Sequence, residues 1–290
     1  MGLAELPPQM EFMARQYRWS FPRPARVMGI LNVTPDSFSD GGCFLDPDRA
    51  VARGEELVAE GAEFIDIGGE STRPGAAPVD ESEELRRVIP VVRALAAKTH
   101  AVISVDTRKA GVARAALDAG ASVINDIEAH RTDPELWKTV AATGAGYVLM
   151  HMQGTPQTMQ EDPHYENVVD EVGTFFEERL LRLEEHGVRR EQVLLDPGIG
   201  FGKTLPHNLS LLRSLGVISA LERPIVLGVS RKSFIGRLFD VEPNQRFGAS
   251  VACALWAAEA GVTVFRVHDV AQTVQALRMR EILNNQTKTS

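Results

Sequence analysis

Short apolar runs and longer amphipathic segments alternate along the chain. The apolar runs are Val27–Leu31, Phe64–Ile67, Ala101–Val105, Ser122–Ile124, Gly146–Met150, Val193–Leu195, Ile225–Val229 and Val262–Val267. They are brief and often β-branched, the pattern of strands buried on both faces. Between them, Ala50–Glu60, Glu81–Lys98, Val112–Ala119, Pro134–Thr143, Val168–His186 and Gln272–Leu283 carry apolar residues at helical spacing. Asp46-Pro47 and Asp133-Pro134 read as helix starts, and Gly61, Gly120, Gly144, Gly187 and Gly261 as C-terminal caps.

Strand–helix alternation implies a parallel sheet. Eight units in 290 residues suit an α/β chain closed into a (β/α)8 TIM barrel. An open doubly wound sheet is the alternative, but no linker or composition shift divides the chain. The expected organisation is an N-terminal extension over 1–25, one barrel domain over 26–283 and a polar tail over 284–290. A hairpin is expected around Gln16–Phe21.

Composition narrows the function. A net charge of −8 argues against a general nucleic-acid partner, which needs a basic face. No apolar run reaches membrane-spanning length, and the first residues lack a signal-peptide pattern. The two cysteines, Cys43 and Cys253, are not in metal-ligand spacing and read as free thiols. A cytoplasmic protein is expected.

In such a barrel, chemistry sits at the C-terminal ends of the strands, and all eight runs end in polar residues. Arg266 and His268 share one face of the last run. With Arg73 they supply cationic donors suited to phosphate. Asn32 can offer a neutral oxygen to Mg²⁺, which usually keeps waters and bridges to substrate phosphates. Together these four read as a diphosphate site. Asp106, Asn125, Asp196 and Lys232 suit a flat heterocycle with amino and ring N–H groups, with Met150 packing on its face.

Plainer roles compete for some of these residues. Asp196-Pro197-Gly198 can be only a turn. The Gly198–Thr204 segment lacks the first glycine of a nucleotide phosphate loop, because Pro197 occupies that position, and Pro206 falls where a helix should begin. Asp106 with Asp196 could be a glycosidase pair, but aromatics make up only 6% of the chain. His130, His151 and His207 read as structural or exposed, Arg108 and Asp126 as ion-pairing supports for the loops, and Asp269 as a cap. Trp137 and Trp256 read as packing residues.

Met28–Gly42 (MGILNVTPDSFSDGG) and Asp66–Gly75 (DIGGESTRPG) resemble the first two signatures of the dihydropteroate synthases. Ser104–Thr107, Asn125-Asp126, Asp196–Lys203, Ser230–Ser233 and Arg266–Asp269 resemble the remaining motifs in order, covering about residues 26–283. The resemblance implies a transferase of folate biosynthesis and a sulfonamide target. The reaction would condense 7,8-dihydropterin-6-ylmethyl diphosphate with p-aminobenzoate, giving 7,8-dihydropteroate and diphosphate. It assigns pterin to Asp106, Asn125, Met150, Asp196 and Lys232, and diphosphate with Mg²⁺ to Asn32, Arg73, Arg266 and His268. It assigns the p-aminobenzoate wall to Thr72, Arg73, Pro74, Phe201, Lys232 and Ser233. The catalytic set is then Asp106, Asp196, Lys232, Arg266 and His268, acting by SN1-like loss of diphosphate. Asp36 would lie on the first of two mobile loops, and a homodimer through the last helices is a further implication. A corrinoid-linked pterin methyltransferase and a non-catalytic pterin binder are the competing readings. The first would not need Ser71–Pro74 or the Arg266/His268 pair, and the second should have lost a loop or anion-site residue.

Overall fold

The computed structural model describes residues 10–21, 24–34, 46–71, 76–129 and 134–285. A hairpin of β1 (Met10–Ala14) and β2 (Tyr17–Phe21) precedes eight parallel strands. These are β3 (Arg26–Asn32), β4 (Phe64–Gly68), β5 (Val102–Asp106), β6 (Val123–Asp126), β7 (Gly146–Met150), β8 (Val193–Asp196), β9 (Val226–Leu227) and β10 (Val264–Val267). Their order is β8-β7-β6-β5-β4-β3-β10-β9. A parallel bridge from Leu195 to Ile225 joins β8 to β9 and closes the barrel.

The helices are α1 (Pro47–Ala59), α2 (Glu81–Lys98), α3 (Ala110–Asp118), α4 (Glu135–Thr143), α5 (Val168–Glu185), α6 (Leu205–Arg213), α7 (Leu215–Ser219), α8 (Ser233–Phe239), α9 (Phe247–Glu259) and α10 (Val270–Asn285). Asp46 caps α1 by accepting from the Asp48 amide, with Pro47 in the first turn. The five glycines expected past helix ends all take positive φ, 67° at Gly144 where α4 turns into β7. The last helix continues through Asn284 and Asn285, so the tail begins later than its polar composition suggests. Three helices, α6 to α8, fall between the amphipathic segments read from the sequence, whereas α9 is the helical run expected before Gly261. Pro206 does not block α6. It occupies the first turn, behind the Thr204 cap, where a missing N–H costs no helical bond.

Two cores result. One fills the layer between strands and helices. The other lies inside the barrel's N-terminal end, where Met28, Phe64, Val102, Val123, Val148, Leu194, Val226 and Val264 contribute one residue from each strand. Phe12, Ala14 and Phe21 of the hairpin complete it, so the hairpin plugs the barrel end away from the polar strand termini. Arg15 fastens the plug through its guanidinium to Leu117 O and Ala121 O, both at 2.8 Å. Trp137 is fully buried, as a packing residue should be. Trp256 is not: it is 59% exposed on α9, and on the neighbouring α10 Met279, Ile282 and Leu283 are exposed too.

Candidate functional site

Strand register assembles the site. Asn32 pairs with Gly68, Gly68 with Asp106, and Asp106 with Asn125, so the last inward position of four neighbouring strands falls on one level. Met150 pairs with Asp196 on β7 and β8. Parallel pairing in register and period-two side chains therefore turn separate motifs into one mouth. The cleft there spans about 310 Å³, part of it open to solvent, and is lined by Asp106, Asn125, Met150, Asp196, Lys232 and Arg266, with Ile127, Ile199 and Phe201. Ile127, Met150, Met152, Met159 and Phe201 cluster as its apolar side.

One residue of this site escapes the sequence reading. Asp66 is wholly buried, two residues before the end of β4. It accepts from Ser104 Oγ at 2.6 Å, Asn125 Nδ2 at 3.0 Å and Arg266 Nε at 2.6 Å. Arg266 Nη2 also donates to Asp106 Oδ2 at 2.9 Å. The sequence signal was present: a carboxylate between Ile65 and Ile67 of a fully buried strand must be paired, because an isolated buried charge is too costly.

Because a carboxylate only accepts, the Asn125 amide nitrogen faces Asp66, and its Oδ1 is left buried without a hydrogen bond. An orphaned buried acceptor is uncommon and calls for a donor. It lies among groups whose ionisation is finely poised. Burial pushes the Asp106 carboxyl up to about 7 against the pull of Arg266, with Asp66 adding to the rise. Burial also raises Asp196, opposed first by the Gly198 amide, which donates to Asp196 Oδ1 at 2.7 Å, and then by Lys232. Burial lowers the Lys232 ammonium to about 8, opposed by Asp196. The Lys232 Nζ stands 3.9 Å from the centre of the Phe201 ring, a cation–π contact.

His268 differs from its expected cationic role. Burial, then Arg266 and Arg231, lower it to about 4, so it is neutral near pH 7. Ser230 Oγ lies 3.1 Å from Nδ1 and accepts from the His268 amide at 3.2 Å. A neutral ring with Nδ1 accepting from Ser230 keeps its donor on Nε2. Arg231 is held by Asp269, which thus does more than the helix cap expected of it. Ser233 is exposed at the first residue of α8 and does not line the cavity. Thr72, Arg73, Pro74 and Asp36 lie outside the described residues, as do His130, Asp133 and Cys43.

The supports expected around the mouth are present. Arg108 pairs with Glu70 at 3.1 Å and Glu128 at 2.5 Å, while Lys109 joins Glu70 to Glu84. Asp126 accepts from Tyr147 Oη at 2.5 Å. His151 is buried.

Among the described residues no group of three or more His, Cys, Asp or Glu could hold a metal ion. A side chain added at Gly68 would meet Asn32 Oδ1 at 3.7 Å and Asp106 Oδ2 at 4.0 Å. The missing side chain therefore leaves room around two oxygens at the mouth.

The family model for pterin binding enzymes matches residues 28–268. The dihydropteroate synthase of Escherichia coli K12 is 51% identical over 255 residues, covering 88% of this chain and 90% of its own length. A crystal structure of the Yersinia pestis dihydropteroate synthase with a sulfonamide drug complex has a TM-score of 0.89 at 47% identity, covering 95% of this chain and 99% of that one. The Xanthomonas albilineans enzyme with 4-aminobenzoic acid also has a TM-score of 0.89, at 46% identity, covering 96% and 99%.

Proposed function

The chain belongs to the dihydropteroate synthase family of pterin-binding enzymes, and we infer how its own residues divide the work of condensing 7,8-dihydropterin-6-ylmethyl diphosphate with p-aminobenzoate. The reaction yields 7,8-dihydropteroate and diphosphate, a transferase step of folate synthesis. The observation that carries the assignment is the orphaned Asn125 Oδ1 beside two buried carboxylates. A pterin presents an edge of N–H donors, and Asp106, Asn125 and Asp196 are the acceptors for it. Lys232 donates to a ring acceptor, and Met150 packs on the ring face.

Arg266 spends Nε on Asp66 and Nη2 on Asp106, which leaves Nη1 to face an anion. With Asn32, Arg73 and His268 it forms the diphosphate end, His268 as a neutral donor. Mg²⁺ fits here as an ion arriving with diphosphate and keeping its waters, held by Asn32 alone among the described residues. When bound, it spreads the charge of the leaving diphosphate. Thr72, Arg73, Pro74, Phe201, Lys232 and Ser233 make the p-aminobenzoate wall, Ser233 from its rim.

Departure of diphosphate leaves positive charge on the exocyclic methylene, delocalised into the dihydropterin. Asp106 and Asp196 stabilise it from fixed positions in a poorly solvated site. A carboxyl held near 7 by burial is drawn to its ionised form by that cation. The arylamine attacks as it stands, so no Ser-His-Asp or Cys-His arrangement is needed.

Two further assignments belong to this reading. The protein works in the cytoplasm; no described helix is long and apolar enough to cross a membrane. It pairs as a homodimer through α9 and α10, supported by exposed Trp256, Met279, Ile282 and Leu283. Sedimentation of the wild type and Trp256→Asp checks this, a monomeric wild type refuting it. The test of the main reading is diphosphate release by purified protein with both substrates and Mg²⁺. Release should require both substrates and match dihydropteroate one for one. Pterin binding without turnover would overturn it.

A further inference from the structure

The loop from Gly198 to Lys203 and the segment after β7 are pressed together backbone to backbone. A Cβ on Gly198 would stand 1.9 Å from His151 O, and one on Gly202 2.4 Å from Gln153 O. In this seam lies Lys203, only 1% exposed. Its Nζ donates to Phe201 O at 2.9 Å and reaches His151 Nδ1 at 2.9 Å and His151 O at 3.3 Å. An ammonium has donors only, so His151 Nδ1 accepts and its ring proton sits on Nε2.

A buried ammonium is costly unless its donors are satisfied, and here the two contacts to His151 also join two chain segments. The same loop is held from outside by Gln160 Nε2 to Gly200 O at 3.0 Å and Tyr165 Oη to Gly202 O at 2.7 Å. The Gly200 amide donates to Asn208 Oδ1 on α6 at 2.7 Å. At the loop's tip, Phe201 turns its ring to Lys232. The loop thus has its geometry set before any substrate arrives.

We propose that Lys203 is a positioning residue whose ammonium ties the Gly198–Lys203 loop to His151, so that Phe201 stands ready to receive the ring of p-aminobenzoate. This rests on Phe201 being part of the p-aminobenzoate wall. Lys203 touches no substrate. Without it the loop must be ordered at the moment the second substrate binds, and that ordering cost appears in p-aminobenzoate binding rather than in pterin binding.

The test is Lys203→Met, which keeps the length of the side chain and removes its donors. KM for p-aminobenzoate should rise about tenfold, with kcat and pterin diphosphate affinity changed less than about threefold. Amide exchange across 198–203 should accelerate by about tenfold while α10 stays protected. Unchanged exchange and KM would overturn the proposal. So would a parallel loss of affinity for both substrates with a lower melting temperature, the mark of a general structural role. Should Lys203→Met fail to fold, His151→Asn and His151→Leu decide. Asparagine can place an oxygen where Nδ1 lies, so only leucine should raise KM, and equal values for the two would overturn the role. An inactive wild type would refute the synthase reading alone, because amide exchange still reports on Lys203.

Discussion

Asn125, which lines the pocket, gives its Nδ2 proton to Asp66 at 3.0 Å and thereby leaves its own Oδ1 buried and unpaired. Asp66 also holds the Nε of Arg266, so one carboxylate below the cavity orients two groups that face it. The ligand-facing atoms are set by a residue that does not line the cavity.

Asp66→Asn should therefore weaken pterin binding although residue 66 does not meet the ring. An amide there cannot accept from Ser104, Asn125 and Arg266 at once, and it leaves the buried guanidinium with half its counter-charge. Breaking a buried pair of this kind costs about 3 kcal/mol of stability. Calorimetric titration should show pterin affinity reduced by about tenfold or more, the effect of losing one charged hydrogen bond. An affinity within twofold of wild type would sink the positioning role.

The pH profile follows from two displaced groups. Pterin N–H groups need an ionised Asp106, whose carboxyl sits at about 7, and the ring acceptor needs a protonated Lys232, whose ammonium sits at about 8. The ratio kcat/KM for the pterin should fall on the acid side through about 7 and on the alkaline side through about 8. Asp106→Asn should remove the acid limb along with most of the rate. Stability carries the opposite sign at Asp106. A carboxyl raised from 3.8 to about 7 favours the folded state at low pH, and that contribution disappears as pH rises through about 7. Denaturation midpoints of wild type and Asp106→Asn between pH 4 and 8 should converge toward acid and separate toward neutral. Parallel curves would contradict the shift.

The barrel was legible because its signals are periodic and local. Apolar runs, caps and glycine stops need only neighbours in sequence, and α2 spans Glu81–Lys98 as its pattern predicts. The cavity residues were legible for a related reason. Asp106 and Asp196 end their strands and Asn125 is the last but one of its own, where a polar side chain is conspicuous. Asp66 was missed because its meaning depends on three partners 38, 59 and 200 residues away. Trp256 was placed in a helical run as a packing residue, because the alanines and large apolar residues of α9 leave no polar face to mark which side meets solvent. The charge state of His268 depends on how deeply the fold buries it beside Arg266, which sequence does not encode locally.

Gly198→Ala should be among the most damaging single-methyl changes. Gly198 has φ 66°, and its added carbon would overlap His151 O. Backbone strain alone is roughly 1–3 kcal/mol, and relief requires the loop to lift, breaking the amide bond to Asp196 Oδ1. Both substrates should bind less well, in contrast to Lys203→Met. Steady-state kinetics that leave either KM untouched would show the loop to be more pliable than its contacts imply.

Phe12→Ala separates stability from chemistry. Phe12 is 1% exposed in the plug, stacked on Trp19 at 5.5 Å between ring centres, and Gly146 leaves the space for its ring tip. Removing the ring opens a cavity at the barrel's closed end and should cost about 3–5 kcal/mol in urea unfolding. The strand termini that carry Asp106 and Asp196 lie at the opposite end, so kcat and both KM values should stay within about twofold at a temperature where the variant is folded, as expected for distant independent sites. A large fall in kcat with little loss of stability would mean that the plug sets the geometry of the mouth as well as closing the barrel.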